Sequence, residues 1–135
     1  MLFDIDPPSP QRPAETLRRV FLVDDDEGIS TLFSRILLHA GYTVDATTSS
    51  TAALKTLRAH PEKFDVVVSD YRMPCLNGDE LIKQVKENGF LGRTVIFSGF
   101  IPRDSEAWRK TMGVDAVVEK SRIHSLVEVL KQLTN

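Results

Sequence analysis

Phe64-Asp65-Val66-Val67-Val68-Ser69-Asp70-Tyr71-Arg72-Met73-Pro74 is the stretch that decides the fold. Its apolar run closes on Asp70 and a proline turn, as a buried strand of a parallel sheet does. An earlier run, Val20-Phe21-Leu22-Val23, ends in Asp24-Asp25-Asp26. Set side by side as parallel strands, the two runs bring several carboxylates to one point, where each raises the pKa of the others unless a cation neutralises them.

Outward from these runs, short apolar segments alternate with helical periodicity five times, the pattern of an α/β domain with a parallel sheet. At 135 residues the chain is expected to be one domain with its own core. Residues 1–16 stand apart. Pro7, Pro8, Pro10 and Pro13 fall there with little apolar between them, so a disordered Pro-rich leader is expected over 1–16 and the folded domain over 17–135. The net charge of −2, with acids and bases interspersed, gives no basic face for nucleic acid and no polybasic stretch for a membrane. No apolar run approaches a membrane span and no signal peptide is evident, so the expected location is cytoplasmic. Cys75 is the sole cysteine, which excludes an internal disulfide and a cysteine-based zinc site.

The helices follow from spacing. Ile29, Leu32, Phe33, Ile36, Leu37 and Ala40 share one helical face, and Gly41 supplies the stop. A second helix starts at Ser50, turns Ala53, Leu54 and Leu57 inward and ends before Pro61. The third begins near Asn77, carries Asp79 and Glu80 in its first turn, where the helix dipole favours acids, and stops at Gly89. A weaker fourth helix runs from Asp104 or Ser105 to Gly113 with Ala107, Trp108 and Met112, and Ile123, Leu126, Val127 and Leu130 mark a fifth. The remaining strands are Thr94–Phe97, Ala116–Val118 and a half-polar segment, Thr43–Ala46, suited to a sheet edge.

Right-handed crossovers with helices on both faces give the strand order 2-1-3-4-5, with a crevice outside the carboxyl ends of strands one and three. Asp24, Asp25 and Asp70 fall at that switch point, while Ser98 closes strand four and Lys120 follows strand five. Two or three carboxylates with few other ligands suit a hard cation that keeps several waters, as Mg²⁺ does. A cation and the Lys120 ammonium would stabilise charge on a transferring phosphoryl group, and Ser98 would donate to one of its oxygens. Asp70, between the acidic pair and the Ser98 and Lys120 side, would be the acceptor.

From about Arg19 onward the chain resembles the receiver domain of two-component response regulators. The match rests on the acidic pair Asp24 and Asp25, on Asp70 followed by Met73-Pro74 and Asn77-Gly78, on Ser98-Gly99, and on Lys120. The resemblance implies a flavodoxin-like (CheY-like) doubly wound sheet of five strands with five helices. It also implies Mg²⁺-dependent phosphorylation of Asp70 by a partner histidine kinase or phosphotransfer protein. Asp25 would then be a direct metal ligand, Asp24 would act largely through water, and Asp70 and the backbone carbonyl of Arg72 would complete the protein ligands. By the same resemblance, the fourth helix, fifth strand and fifth helix form a face for an effector or a second copy. With the chain ending after the fifth helix, output is expected through what that surface binds or through onward phosphotransfer.

Two positions depart from the family pattern. Ser121 stands where a proline, joined by a cis peptide, usually follows the lysine, and a cis bond to a non-proline residue costs about 3–4 kcal/mol. Val117 stands where an aromatic ring commonly changes rotamer on phosphorylation. Arg72 and Phe100 flank the expected phosphoryl site, where their side chains can gate water and set the lifetime of a phosphoaspartate. Gly99, Phe100 and Val117 are therefore the expected modulating positions. Two other functions compete: a degenerate receiver that binds proteins without phosphorylation, and an aspartyl phosphatase for which Leu2-Phe3-Asp4-Ile5-Asp6 would supply the nucleophile. The second is discounted because Pro7-Pro8 follows where Gly-Thr belongs. Asp26 and Glu27 read as helix-capping acids, Trp108 as partial packing, and His39, His60 and His124 as structural or exposed.

Overall fold

The central strands of this chain are short and apolar on both faces, so they must be covered on both sides, and helical crossovers do that covering. The structure is a computed structural model that describes residues 19–134; the expected leader over 1–16, and the Leu2–Asp6 segment within it, lie outside the described residues. The chain runs β1 (Arg19–Val23), α1 (Glu27–His39), β2 (Thr43–Thr47), α2 (Ser50–Ala59), β3 (Val66–Ser69), α3 (Gly78–Glu87), β4 (Arg93–Ser98), α4 (Ser105–Met112), β5 (Ala116–Glu119) and α5 (Ile123–Thr134). The strands form one sheet in the order β2-β1-β3-β4-β5, every pair parallel. This is the expected flavodoxin-like arrangement, with half-polar β2 at one edge.

Alternation along the strands divides the core. Val20, Leu22, Val66, Val68, Val95 and Phe97 face α1 and α5, where they meet Phe33, Leu37, Leu126 and Leu130. Phe33 and Phe97 pack edge to face with centroids 4.4 Å apart. Phe21, Val23 and Val67 face the other layer, against Ala53, Leu54 and Leu57 of α2 and Leu81 and Val85 of α3. Leu32 departs from its expected inward position: it is about half exposed, on the rim of a helix whose buried residues are Ser30, Phe33 and Leu37. Helix α4 is held most lightly, since none of its residues is fully buried. It rests on the cluster of Ile82, Ile96 and Val114 through Trp108 and Met112, and it ends at Gly113 in the left-handed conformation.

Register places the site. Val23 is paired with Ser69, and Ser98 with Glu119, so the residues that follow leave the sheet at one rim. The ladder continues one step past the strands: Asp70 N–H donates to the Val23 carbonyl at 2.8 Å, and Lys120 N–H to the Ser98 carbonyl at 2.8 Å. Backbone hydrogen bonds thus fix the Cα positions from which Asp70 and Lys120 reach the rim.

Candidate functional site

Asp24 is 1 % exposed and Asp70 9 %, which makes them the carboxylates buried at this rim. Lys120 lies between them, its Nζ 2.6 Å from Asp24 Oδ2 and 3.3 Å from Asp70 Oδ1. Asp24 Oδ1 accepts from the Asp26 backbone N–H at 2.9 Å. Asp24 Oδ2 is buried and accepts no aligned hydrogen bond, so its contact with the ammonium is that of an ion pair. Asp70 Oδ1 also accepts from the Tyr71 N–H at 2.8 Å. One ammonium therefore serves two buried carboxylates.

Electrostatics record the imbalance. Burial pushes the Asp70 carboxyl above the usual carboxylate range, and the Asp24 charge adds to that push; Lys120 and the Tyr71 N–H offset only part of it. Burial works against the Lys120 ammonium, yet the Asp24 and Asp70 carboxylates together outweigh it and hold its pKa above that of a free lysine. Asp25 is exposed at the mouth of the cluster. Carboxylate oxygens of Asp24, Asp25 and Asp70 lie within 4.8 Å of one another, so they can share one cation. With the unaligned Asp24 Oδ2 buried among them, this all-oxygen set fits a hard divalent ion.

The loop after Asp70 is tied down at close range. Gly78 N–H donates to the Tyr71 carbonyl at 2.7 Å, and a Cβ at position 78 would lie 2.1 Å from the Asp70 carbonyl oxygen. Only glycine permits that approach. Arg72 projects its side chain into solvent beside a cavity of about 500 Å³ lined by Tyr71, Arg72, Met73, Pro74 and Asn77.

The remaining expected residues sort differently. Ser98 is buried at the rim, but its Oγ donates to the Phe100 carbonyl at 2.8 Å and accepts the Phe100 N–H at 3.2 Å, closing a turn on its own loop. A Cβ at Gly99 would meet nothing within 4 Å beyond its two chain neighbours. Phe100 is 74 % exposed. Val117 is half-buried against the cluster that carries α4. No cis peptide occurs among the described residues, so the Lys120–Ser121 bond is trans and Lys120 still reaches both carboxylates. Asp26 caps α1 by accepting the Ile29 N–H, as expected of it. Trp108 packs edge to face on Tyr71 with centroids 5.0 Å apart. His39, His60 and His124 are exposed. Ser50, which reaches the loop after Asp70 from α2, gave no sign in the sequence because hydroxyls at helix starts ordinarily cap.

Fold and site together define a doubly wound α/β domain whose switch point holds a carboxylate cluster bridged by one lysine. A model of the response regulator receiver domain matches residues 20–131, and the chain belongs to that family. It is 39 % identical over 67 residues, half of its length, to the two-component response regulators ARR12 of Arabidopsis thaliana and ORR24 of Oryza sativa subsp. indica. Those stretches are 11 % of the plant proteins, so the chain corresponds to about a tenth of their length. Among solved structures, it is similar to the Vibrio cholerae chemotaxis protein CheY4 with a TM-score of 0.75 and 24 % identity, covering 87 % of this chain and 98 % of that one. It is also similar to the receiver domain of the Arabidopsis thaliana histidine kinase CKI1, solved with Mg²⁺ and BeF₃⁻, with a TM-score of 0.76 and 25 % identity over 90 % of this chain and 93 % of that one. No helix among the described residues is long and apolar enough to cross a membrane.

Proposed function

We propose that this receiver domain accepts a phosphoryl group on Asp70 from a phosphohistidine of a partner histidine kinase or phosphotransfer protein, in the cytoplasm, and that the modified domain switches or relays a signal. The observation that carries the reading is the pair of buried carboxylates served by one ammonium. Ordinary folding gives no return for such an under-neutralised cluster, whereas a site built to take up a cation and a dianionic group needs it.

Asp24, Asp25, Asp70 and the Arg72 carbonyl would hold Mg²⁺, which when bound supplies charge neutralisation for the phosphoryl oxygens. An Asp70 carboxylate oxygen attacks phosphorus, the P–N bond to the donor imidazole breaks, and the imidazole leaves with the bonding pair and takes up a proton. Lys120, already 3.3 Å from Asp70, bears on the charge that gathers on the transferred group. Ser98 would release the Phe100 carbonyl and donate to a phosphoryl oxygen instead, with Gly99 adding no side chain beside it. Arg72 and the exposed Phe100 would govern the access of water, and so the rate at which the domain loses its phosphoryl group. Val117 would set how the change reaches α4, and the α4, β5 and α5 face would meet an effector or a second copy.

The test is intact-mass analysis after incubation with a small acyl phosphate. Wild-type protein with Mg²⁺ should gain roughly 80 Da, one PO₃ unit. Chelation of Mg²⁺ or Asp70→Asn should abolish the gain, and labelling that persists in the Asn variant would refute Asp70 as acceptor.

A further inference from the structure

We infer that Ser50 is a positioning residue for the acceptor loop, fixing from outside it the backbone that carries the Arg72 carbonyl. The inference rests on the metal-site reading above.

Ser50 opens α2, yet its hydroxyl does not cap that helix. Ser49 does so, its Oγ accepting the Ala52 N–H at 3.1 Å. Ser50 is 3 % exposed, and its Oγ donates to the Pro74 carbonyl at 2.7 Å and accepts the Leu76 N–H at 3.3 Å. These groups flank Cys75, the sole non-glycine residue with positive φ among those described, at 74°. The Leu76 N–H also reaches the Pro74 carbonyl at 2.8 Å, closing a γ-turn of the strained hand. One hydroxyl, 24 positions away from Pro74, therefore binds both sides of a turn that a β-carbon disfavours.

The rest of the loop shows why this matters. Its base is held by Asp70 N–H on the Val23 carbonyl and Gly78 N–H on the Tyr71 carbonyl. Within the loop, the Met73 N–H has a long contact of 3.4 Å to Asn77 Oδ1. Met73 and Leu76 pack on the apolar layer of α2 and α3, and Ser50 is the polar side chain that ties the apex to another element by hydrogen bonds, two residues beyond Arg72. With the base and the apex both fixed, the Arg72 carbonyl between them is preset. Removing the hydroxyl lets the turn relax and spreads that carbonyl over several orientations, which weakens a ligand set that has few members.

The experiment compares Ser50→Ala with Ser49→Ala by Mg²⁺ calorimetry and by amide exchange of the metal-free proteins. Loss of one buried hydrogen bond corresponds to a rise in the Mg²⁺ dissociation constant of about fivefold in Ser50→Ala. The Leu76 amide should exchange faster by a similar factor, about fivefold. Ser49→Ala loses the helix cap and melts earlier, but its Mg²⁺ affinity and Leu76 exchange should stay at wild-type values. Equal weakening in both variants, or unchanged affinity in Ser50→Ala, overturns the inference. If wild-type protein takes up no Mg²⁺, the metal reading falls instead, and Leu76 exchange alone decides whether Ser50 holds the loop.

Discussion

The two ends of the sheet pair the same two signs of charge to opposite effect. At the amino end of the strands, Arg19 meets Asp65 through Nε at 3.0 Å and Nη2 at 3.0 Å, and the Arg19 backbone N–H adds a third bond at 2.9 Å. One guanidinium answers one carboxylate, and the fork geometry satisfies both oxygens. At the carboxyl end, one ammonium answers two carboxylates and a third stands exposed beside them. A saturated pair joins β1 to the start of β3 and asks for nothing further. An unsaturated one leaves three carboxylates that could share a cation.

Glycines allow the sharpest test of this contrast. Gly78 presses on the Asp70 carbonyl and Gly92 on the Asp65 carbonyl, where Cβ atoms would lie 2.1 Å and 2.4 Å away. Alanine at either site should cost about 3 kcal/mol in denaturant unfolding. Gly78→Ala alone should also suppress phosphoryl labelling of the folded protein; equal suppression in Gly92→Ala would erase the distinction between the ends.

Lys120→Met leaves Asp24 and Asp70 facing each other without a counter-charge. Stability in chelator should fall by about 2 kcal/mol, less than for a fully buried pair because Lys120 keeps some exposure. Added Mg²⁺ should recover much of that loss, whereas Arg19→Met should show no recovery by the ion.

The smallest effects differ in sign. Asp65→Asn should cost about 1–2 kcal/mol at neutral pH, because it removes a well-formed ion pair. Asp70→Asn should instead stabilise the metal-free domain by about 1 kcal/mol, because it removes a charge disfavoured first by burial and then by the Asp24 carboxylate. The pH dependence has a definite direction. Since the folded state raises the Asp70 pKa, this group favours folding when protonated, below the ordinary Asp value of about 3.9, and that contribution is lost as pH rises through the folded value. The melting-temperature advantage of Asp70→Asn in chelator should therefore be near zero in acid and grow toward neutrality. An advantage independent of pH would show that the ionised Asp70 carboxylate is not its source.

The sheet was legible because its causes are local. The runs Val20–Val23 and Val66–Val68 are apolar on both faces, and Gly41, Gly89 and Gly113 mark helix ends by their positive φ. Leu32 is half exposed because helical periodicity gives a face but not its edges, which depend on where the sheet runs out beneath α1. Within the site, Asp24, Asp25, Asp70 and Lys120 announced themselves by lying just past the strands. Ser98 was located, but the turn its hydroxyl makes with Phe100 was not. Ser50 was invisible as a site residue, since its partners stand 24 and 26 positions away.

By itself, the sequence determined which residues would share a rim, because strand ends and parallel crossovers follow from apolar runs and chain chirality. It could not determine how charge would be divided there. That one trans-linked lysine reaches two carboxylates, with Asp24 buried beneath it and Asp25 left outside, depends on distances of 2.6 and 3.3 Å between side chains from three strands' ends. Burial and Coulomb energy change steeply over such distances, so packing alone decides them.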